Sequence, residues 1–371
     1  MKKKYRKTFQ RKSNQKRFRR RRRKFLSKKD FLFLKWFKLS IAILLTIILI
    51  VTRKIISNVH IAVSVDKKYI YTFIVYLTSL LDNKAKSSFY TIHILSDNST
   101  INKSKDKIDK VIKKFGNDSI NIKYYNLEGE FKSAQVGVIP FASYYRISLP
   151  SKLLDIDKVI YTDTDMINFK DLSEMYNIKF KEKMYICAPL DYHNVISELK
   201  PYGIRTKKYI NAGIIIMNLK EMRKDDIETK MRNFIKTNRL ANFDQTVINA
   251  ICYKNTQILP YKYGIFAFDS LDQLIELNNA QDIMYRFNES ELIQAFKEPT
   301  LFHYYGKLKP WANYSSYKVY NRKYWWYYAK MSGFYQEILD YYHFDKNYAD
   351  NLIRKIPEDG GFLRRKYKKF S

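Results

Sequence analysis

Two aspartates, Asp163 and Asp165, directly follow the apolar run Lys158–Thr162 in the segment KVIYTDTD. Such a run predicts a buried strand, and ligands of an open α/β sheet bind beyond the carboxyl ends of its strands. Two carboxylates this close repel each other, and a divalent cation between them relieves the repulsion. The pair therefore predicts a metal site, although Asp-x-Asp alone is also typical of a solvated turn or a helix cap.

The segment His303–Trp311 (HYYGKLKPW) combines an imidazole, a turn glycine, a lysine and a Pro-Trp pair. A neutral imidazole can complete a metal site begun by two carboxylates, and mixed nitrogen and oxygen ligands favour Mn²⁺ over Mg²⁺. Lys309 would then neutralise a phosphate as a point charge. A lone histidine is more often a hydrogen-bonded structural residue, so this prediction depends on both segments together.

The elements that position these residues alternate between strand and helix patterns. The predicted strands are Val59–Val65, Phe89–Leu95, Ile120–Tyr125, Lys158–Thr162, Lys183–Pro189 and Gly213–Leu219. The predicted helices are Ile70–Leu81, Lys103–Phe115, Ala142–Leu154 and Phe243–Tyr253. This alternation predicts an α/β fold with a mostly parallel central sheet flanked by helices. The sequence has no GxGxxG or P-loop pattern, which argues against ordinary dinucleotide or nucleoside-triphosphate binding.

Charge and cysteine content narrow the class of protein. Residues 1–30 carry 17 Lys or Arg and a single acid, Asp30, which is about half of the net charge of +33. Such a basic tail favours polyanions, either nucleic acid or an anionic membrane face. Cys187 and Cys252 match no metal, redox or disulfide spacing, and we expect both to be buried thiols.

The apolar segment 31–52 (FLFLKWFKLSIAILLTIILIVT) contains only Lys35 and Lys38 as charged residues. If both lysines reach the interface, the segment is long enough to span a bilayer. We therefore expect a membrane anchor, with the preceding tail on an anionic membrane surface and no specific nucleic-acid partner. The alternative for the apolar segment is a buried core helix, and the alternative for the basic tail is a nucleic-acid-binding arm. The side of the membrane stays open: a catalytic domain would be cytoplasmic in a bacterium and luminal in a eukaryote.

Residues 312–371 are rich in aromatic and basic side chains, above all in Tyr317–Tyr342. One interpretation is a helix that packs its rings on the core. The other is a surface helix whose Trp325 and Trp326 lie at a bilayer interface while Lys and Arg meet headgroups. The anchor at the other end of the chain favours the second, so we expect this segment to be membrane-associated.

Several motifs between Ile61 and Trp311 resemble glycosyltransferase family 8, whose members are retaining enzymes and include bacterial lipopolysaccharide galactosyl- and glucosyltransferases. The motifs are AVSVDKKY, ASYYRI, YTDTDM, YINAGIIIMNL, FDQTVIN and HYYGKLKPW, in matching order and spacing. No single motif is specific, but together they are. The resemblance implies a GT-A fold and a catalytic domain over residues 58–311.

The resemblance also implies roles for individual residues. It implies a metal site formed by Asp163, Asp165 and His303. The residues that it implies for donor binding are Asp66, Tyr69, Arg146, Asp163, Thr164, Asn211, Ala212, Gly213, Gly306 and Lys309. The residues that it implies for catalysis are Asp191, Asp244 and Gln245. Lys68 departs from the family, which usually has asparagine at this position.

The function implied is metal-dependent, retaining transfer of a hexose, galactose or glucose, from a UDP-sugar to a glycan or glycolipid. Mn²⁺ or Mg²⁺ would be the cofactor. Same-face attack is our favoured route to retention, because the amide of Gln245, the nearest candidate nucleophile, is a poor nucleophile. The alternative is a catalytically inactive membrane protein that binds a nucleotide sugar or a polyanion. A nucleic-acid protein built on the basic tail leaves HYYGKLKPW unexplained.

Overall fold

The computed structural model describes residues 35–44 and 58–356, except 117, 133, 135–140, 192–195, 207, 241, 267–270, 280–286 and 313–318. The chain divides into two compact units, Met1–Ile56 and Ser57–Ser371. In the first unit residues 35–44 are helical. The predicted basic tail and the rest of the predicted anchor lie outside the described residues. Among the described helices, none is both long enough and apolar enough to cross a bilayer.

In the described part of the second unit, the strands form two sheets. They are β1 (Asn58–Ser64), β2 (Phe89–Ser96), β3 (Ile120–Asn126), β4 (Lys158–Thr162), β5 (Met166–Asn168), β6 (Ile186–Ala188), β7 (Ile214–Asn218), β8 (Thr256–Ile258), β9 (Ile265–Phe266) and β10 (Leu301–His303). The large sheet has the order β3-β2-β1-β4-β7-β6-β8, and the small one β5-β10-β9. In the large sheet only β7 runs antiparallel to its neighbours. The predicted α/β fold with a mostly parallel sheet is confirmed.

Helices cover both faces of the large sheet. The described helices of this unit are Ile70–Asp82, Asn98–Phe115, Leu149–Lys152, Ser173–Tyr176, Leu219–Lys224, Ile227–Thr237, Phe243–Cys252, Leu271–Asn279, Glu289–Lys297, Arg322–Met331, Tyr335–Tyr342 and Lys346–Arg354. Strands buried on both faces are continuous apolar runs, as in β7. Cys187 and Cys252 are free and buried, as predicted.

Three predicted elements differ from the structure, and the simplest difference is that the helix expected over Lys103–Phe115 begins earlier, at Asn98. The helix expected over Ala142–Leu154 is a 3₁₀ helix, Phe141–Ser148, followed by a short α-helix, Leu149–Lys152. Pro150 explains the break, because proline lacks the N–H of a helix interior and is suited to a first turn. The strand expected over Lys183–Pro189 is shortened to β6, because Lys183 has a φ of 61°, which no strand accommodates.

Trp325 and Trp326 are fully buried, so the prediction that they lie at a bilayer interface is wrong. The Trp326 ring stacks on Phe344 with centroids 4.2 Å apart, and the Trp325 ring lies 5.1 Å from that of Trp311. The rings belong to the hydrophobic core that also contains the Ile70–Asp82 helix. Their apolar area is therefore already removed from water inside the domain. Membrane association of the rest of 312–371 stays a prediction, and residues 357–371 lie outside the described residues.

His60, His93 and Tyr125 link the first three strands, and of the two histidines His93 is buried and His60 is half-buried. His60 Nδ1 lies 3.1 Å from His93 Nε2, and His93 Nδ1 lies 3.0 Å from the hydroxyl of Tyr125. Burial, together with the nearby His60 and Lys123, lowers the pKa of His93 to about 3. Burial and Lys123 also lower the pKa of His60. The folded chain therefore stays neutral here at pH values where an unfolded chain is protonated.

We expect the domain to lose stability below about pH 6.5, the pKa of an unfolded histidine. The unfolded chain then binds more protons than the folded domain. The free energy of unfolding of the domain therefore falls as the pH drops from about 6.5 toward 3, and His93 contributes up to about 1.4 kcal/mol per pH unit to this loss. Urea unfolding at pH 7 and 5 measures this slope. His93→Asn should reduce the slope relative to that of the wild-type chain. An unchanged slope in His93→Asn would contradict the assignment.

Candidate active site

The two aspartates lie where the chain passes from one sheet to the other. β4 of the large sheet ends at Thr162 and β5 of the small sheet begins at Met166. His303 is the last residue of β10 and pairs with Met166 in the β10–β5 register. Strand pairing thus brings the imidazole to residues that are far away in sequence.

Asp163, Asp165 and His303 form one cluster, in which a ligand atom from each lies within 4.8 Å of the others. His303 Nε2 lies 3.2 Å from Asp165 Oδ1 and 3.8 Å from Asp163 Oδ2. His303 and Asp165 are buried, whereas the Asp163 side chain is 30% exposed. The cluster is therefore closed except on its Asp163 side. Thr164, between the aspartates, is buried.

Positive groups surround the inner carboxylate. Lys309 Nζ donates to Asp165 Oδ2 and, at 2.7 Å, to the carbonyl of Tyr304. Burial alone would raise the pKa of Asp165, but Lys309 and His303 overcome it and hold that pKa well below its usual range. Asp165 is therefore an anion, as a metal ligand must be. Lys309, predicted to contact phosphate, is here the counter-ion of Asp165.

Gly213 lets β7 approach this cluster. A Cβ at Gly213 would collide with His303 Cε1 and would lie 2.8 Å from Asp163 Oδ2 and 2.9 Å from Asn211 Oδ1. The Gly213 carbonyl also accepts the Asp163 N–H at 2.8 Å. Any larger residue would push the imidazole or the carboxylate aside. The glycine of the Asn-Ala-Gly sequence is thus required by contact with the cluster itself.

The cluster fits a divalent cation. Two carboxylates and a neutral imidazole are a donor set that accommodates Mn²⁺. His303 Nε2 faces both aspartates, whereas its Nδ1 is buried without a hydrogen-bond partner among the described residues. Nε2 is therefore the nitrogen oriented toward an ion.

Arg146 holds the outer aspartate in place. Its buried guanidinium donates to Asp163 Oδ1 at 2.7 Å and to the Ala212 carbonyl, and its Nε lies 3.1 Å from Asp244 Oδ2. Burial raises the pKa of Asp244 to about 6, although Arg146 opposes that shift. Arg146 also lies over the ring of Tyr161, 4.1 Å from its centroid. Arg146 is therefore a positioning residue for Asp163, while direct contact with a donor stays a prediction.

Asp191, Asn211 and Gln245 meet at the start of β7. Gln245 Oε1 accepts the Ala212 N–H at 2.9 Å, and Gln245 Nε2 donates to Asp191 Oδ2 at 3.0 Å. Asn211 Oδ1 accepts the Gly213 N–H at 2.9 Å. Both ends of the Gln245 amide are therefore engaged. Of the predicted catalytic residues, Asp191 and Gln245 are in contact with each other, while Asp244 forms an ion pair with Arg146.

Asp66 and Tyr69 lie beyond the carboxyl end of β1, which neighbours β4. Asp66 Oδ1 accepts the N–H groups of Lys68 at 2.6 Å and Tyr69 at 3.3 Å, and so caps the 3₁₀ turn Lys67–Tyr69. Burial and the carboxylates of Asp165, Asp66 and Asp163 raise the pKa of Tyr69. The ring of Tyr69 meets that of Trp311, in the loop after β10, with centroids 6.3 Å apart. Lys68, the departure from the family pattern, is exposed.

Three residues that support the site, Arg322, Trp326 and Asn249, were not predicted to do so. Arg322 Nε and Trp326 Nε1 both donate to the Pro310 carbonyl, at 2.7 and 3.0 Å, and so hold the loop that follows β10. Gly306, in that loop, has a φ of 69°, which favours glycine. Asn249 holds the backbone of Ile210 with bonds of 2.8 and 2.9 Å. Asn249 ends the motif FDQTVIN, so a polar residue on an apolar helix face was the available signal.

Comparison with known proteins bears on this arrangement. Residues 60–315 match the family described as Glycosyl transferase family 8. The chain is similar to general stress protein A of Bacillus subtilis, with 25% identity over 68% of this chain and 87% of the relative. It is also similar to lipopolysaccharide 1,2-glucosyltransferase of Escherichia coli, with 24% identity over 82% of this chain and 88% of the relative.

Solved structures share the fold. Galactosyltransferase LgtC, in complex with donor and acceptor sugar analogues, superimposes with a TM-score of 0.60 at 17% identity over 75% of this chain and 95% of LgtC. The bifunctional glycosyltransferase WbbM gives a TM-score of 0.63 at 18% identity over 77% of this chain and 52% of WbbM. These likenesses confirm the predicted GT-A-like fold. Because the family match spans well over half of the chain and contains the whole Asp163–Asp165–His303 cluster, this protein belongs to glycosyltransferase family 8 and is a glycosyltransferase.

Proposed function

We propose that this glycosyltransferase is metal-dependent and retaining, and that it transfers a hexose, galactose or glucose, from a UDP-sugar to a glycan or glycolipid. The observation that carries the proposal is the convergence of Asp163, Asp165 and His303 within 4.8 Å at the end of β4. Relatives named for lipopolysaccharide glucosyl- and galactosyl transfer support the hexose and the class of acceptor.

The chemistry needed is stabilisation of a departing nucleoside diphosphate. Mn²⁺ or Mg²⁺, held by Asp163, Asp165 and His303, would supply Lewis-acid stabilisation of the diphosphate charge. Arg146 keeps Asp163 oriented, and Lys309 places a positive charge at the cluster. Such preorganised charges act in a site that is largely closed to water, where they are worth more than in solution.

Same-face attack accounts best for retention. In this route the acceptor hydroxyl attacks the anomeric carbon from the side of the leaving diphosphate, whose oxygen takes the proton. Gln245 is poorly suited to covalent catalysis, because its amide is bonded to both Ala212 and Asp191. The Asp191–Gln245 pair then lines the acceptor side. Trapping a covalent sugar on Gln245 by mass spectrometry would contradict this route.

The test is Mn²⁺-dependent release of UDP from UDP-galactose and UDP-glucose by the full chain. We expect turnover with Mn²⁺, loss of turnover with EDTA, and recovery when Mn²⁺ is added back. Turnover that persists in EDTA would refute the metal dependence. Binding of UDP without any turnover, with every candidate acceptor, would favour the alternative of an inactive nucleotide-sugar-binding protein.

We also propose that residues 31–52 attach the chain to a membrane and that the basic tail 1–30 lies on its anionic surface. The charge of this tail and the apolar segment that follows support the proposal. We expect the full chain in the membrane fraction, with release by detergent and none by high salt. Release by salt alone would restrict the attachment to surface electrostatics.

A further inference from the structure

The helix Tyr335–Tyr342 lies beyond the residues that match the family, 60–315, yet it contacts both sides of the proposed donor site. We infer that Tyr341 and Tyr342, two consecutive residues of this helix, are positioning residues for the nucleotide-sugar donor. The inference builds on the proposed function, because it concerns how the same site binds its nucleotide.

Tyr341 contacts the turn that follows β1. Its hydroxyl donates to the Lys68 carbonyl at 3.2 Å, within the turn that Asp66 caps. The centroid of its ring lies 5.0 Å from that of Tyr71. The residue is 43% exposed, so part of the side chain faces solvent. Burial and the charge of Asp66 raise the pKa of Tyr341, which agrees with the closeness of the two side chains.

Tyr342 contacts the loop that follows β10 and contains Lys309, the Lys309 loop. Its ring stacks on Trp311, with centroids 5.1 Å apart and planes inclined by 29°. Trp311 in turn meets the edge of the Tyr69 ring, with centroids 6.3 Å apart. The hydroxyl of Tyr342 lies 2.7 Å from Thr72 Oγ1. Tyr342 thus joins the Lys309 loop to the beginning of the Ile70–Asp82 helix.

The helix is itself held firmly at this position. Glu337 accepts hydrogen bonds from the hydroxyl of Tyr71 at 2.8 Å and from Lys107 Nζ at 2.5 Å. The helix therefore also contacts the Ile70–Asp82 helix through Tyr71 and the Asn98–Phe115 helix through Lys107. Its placement depends on more than the two tyrosines, so loss of one hydroxyl or of one ring should leave it in position.

Together, these contacts fix the distance between the turn that follows β1 and the Lys309 loop. A nucleoside diphosphate that reaches from the Asp66 turn to the Asp163–Asp165–His303 cluster must fit between the turn and the Lys309 loop. One helix fixes the separation of the two by contacting each through a neighbouring residue. Preorganisation of this kind lowers the cost of binding and leaves the chemistry of the bound donor unchanged. The consequence is an effect on donor KM with little effect on kcat.

The experiment compares Tyr341→Phe, Tyr342→Leu and the double variant of the full chain. Tyr341→Phe removes the hydroxyl that bonds to the Lys68 carbonyl, and Tyr342→Leu removes the ring that stacks on Trp311. The matched control is Tyr335→Phe, which lies on the same helix but bonds to Asp350 of the helix Lys346–Arg354 at 3.1 Å. We measure KM and kcat for the UDP-sugar, and the Kd values of UDP with Mn²⁺ and of Mn²⁺ alone, by calorimetry.

We expect each variant to raise donor KM and UDP Kd about three- to tenfold, the usual loss for one hydrogen bond or one aromatic contact, with kcat within about twofold. The Kd of Mn²⁺ alone should stay unchanged, and so should every constant of Tyr335→Phe. The inference fails if the variants bind UDP as tightly as the wild type, lower kcat at constant KM, or match the control. Wild-type protein that binds Mn²⁺ but neither binds nor turns over UDP-sugars would instead refute the proposed function.

Discussion

Asp163→Asn is expected to lower Mn²⁺-dependent transfer by about 10²–10³-fold, the usual loss when one charge-stabilising group of this kind is removed. Asp163 Oδ1 accepts from Arg146 at 2.7 Å and from the hydroxyl of Tyr161 at 3.1 Å. Because both neighbours donate, the amide oxygen of an asparagine should take the Oδ1 position. Its NH₂ group then occupies the Oδ2 position facing His303, and this group cannot bind a cation.

The measurement is UDP release as a function of Mn²⁺ concentration, with urea unfolding to verify the fold. The matched control is Asp157→Asn, one residue before the same strand, whose side chain is 71% exposed and lies 3.3 Å from Arg223. We expect the control to keep wild-type activity. Full activity in Asp163→Asn, at the wild-type Mn²⁺ requirement, would move the metal site away from this cluster and remove the basis of the proposed function.

Gly213→Ala should be almost as damaging, although it changes no polar atom. The added methyl group occupies space filled by His303 Cε1 and lies 2.8 Å from Asp163 Oδ2. Either the imidazole or the carboxylate has to move, and a displacement near 1 Å at a catalytic group costs about 10²-fold in rate. Overpacking of this kind also costs about 1–3 kcal/mol of folding stability.

The readouts are the Kd of Mn²⁺ by calorimetry and the rate of UDP release, both of which should worsen together. Gly203→Ala is the contrasting variant, because its φ of 72° makes alanine strained while a Cβ there meets nothing within 4 Å. We expect Gly203→Ala to lose stability and keep its activity. Unchanged Mn²⁺ affinity in Gly213→Ala would mean that the cluster can adjust without cost.

The strands could be predicted from the sequence because the central ones are buried on both faces. The apolar runs of β1, β4 and β7 are typical of such strands, and they lie close to the predicted bounds. Local breaks were harder to predict. The pattern of apolar residues continues through Pro150, so only the missing N–H of proline separates the 3₁₀ helix from the short α-helix that follows.

The site was predictable in part. Asp163 and Asp165 could be found because the end of a buried strand is a ligand position in sheets of this class. The pairing of β10 with β5, which places His303 beside them, has no local signal in the sequence. The same holds for Arg146, whose partners Asp163, Ala212 and Asp244 come from three separate segments.

The aromatic content of residues 312–371 was misleading for a related reason. Trp and Tyr combine a large apolar body with a polar group, so composition alone does not distinguish a membrane interface from a domain core. In Trp326 the indole N–H donates to the Pro310 carbonyl, and the ring packs on Phe344. Only the positions of Pro310 and Phe344 in the fold show that the helix Arg322–Met331, which carries Trp326, supports the loop after β10.

The passage of the chain from one sheet to the other has a consequence for biosynthesis. Asp165 and His303 are separated by 138 positions, so both aspartates are synthesised well before the histidine. A nascent chain of that length holds an incomplete chelate, and closing so long a loop waits for the docking of β10. Under the proposed metal dependence, tight binding of a divalent cation therefore requires that the small sheet be complete.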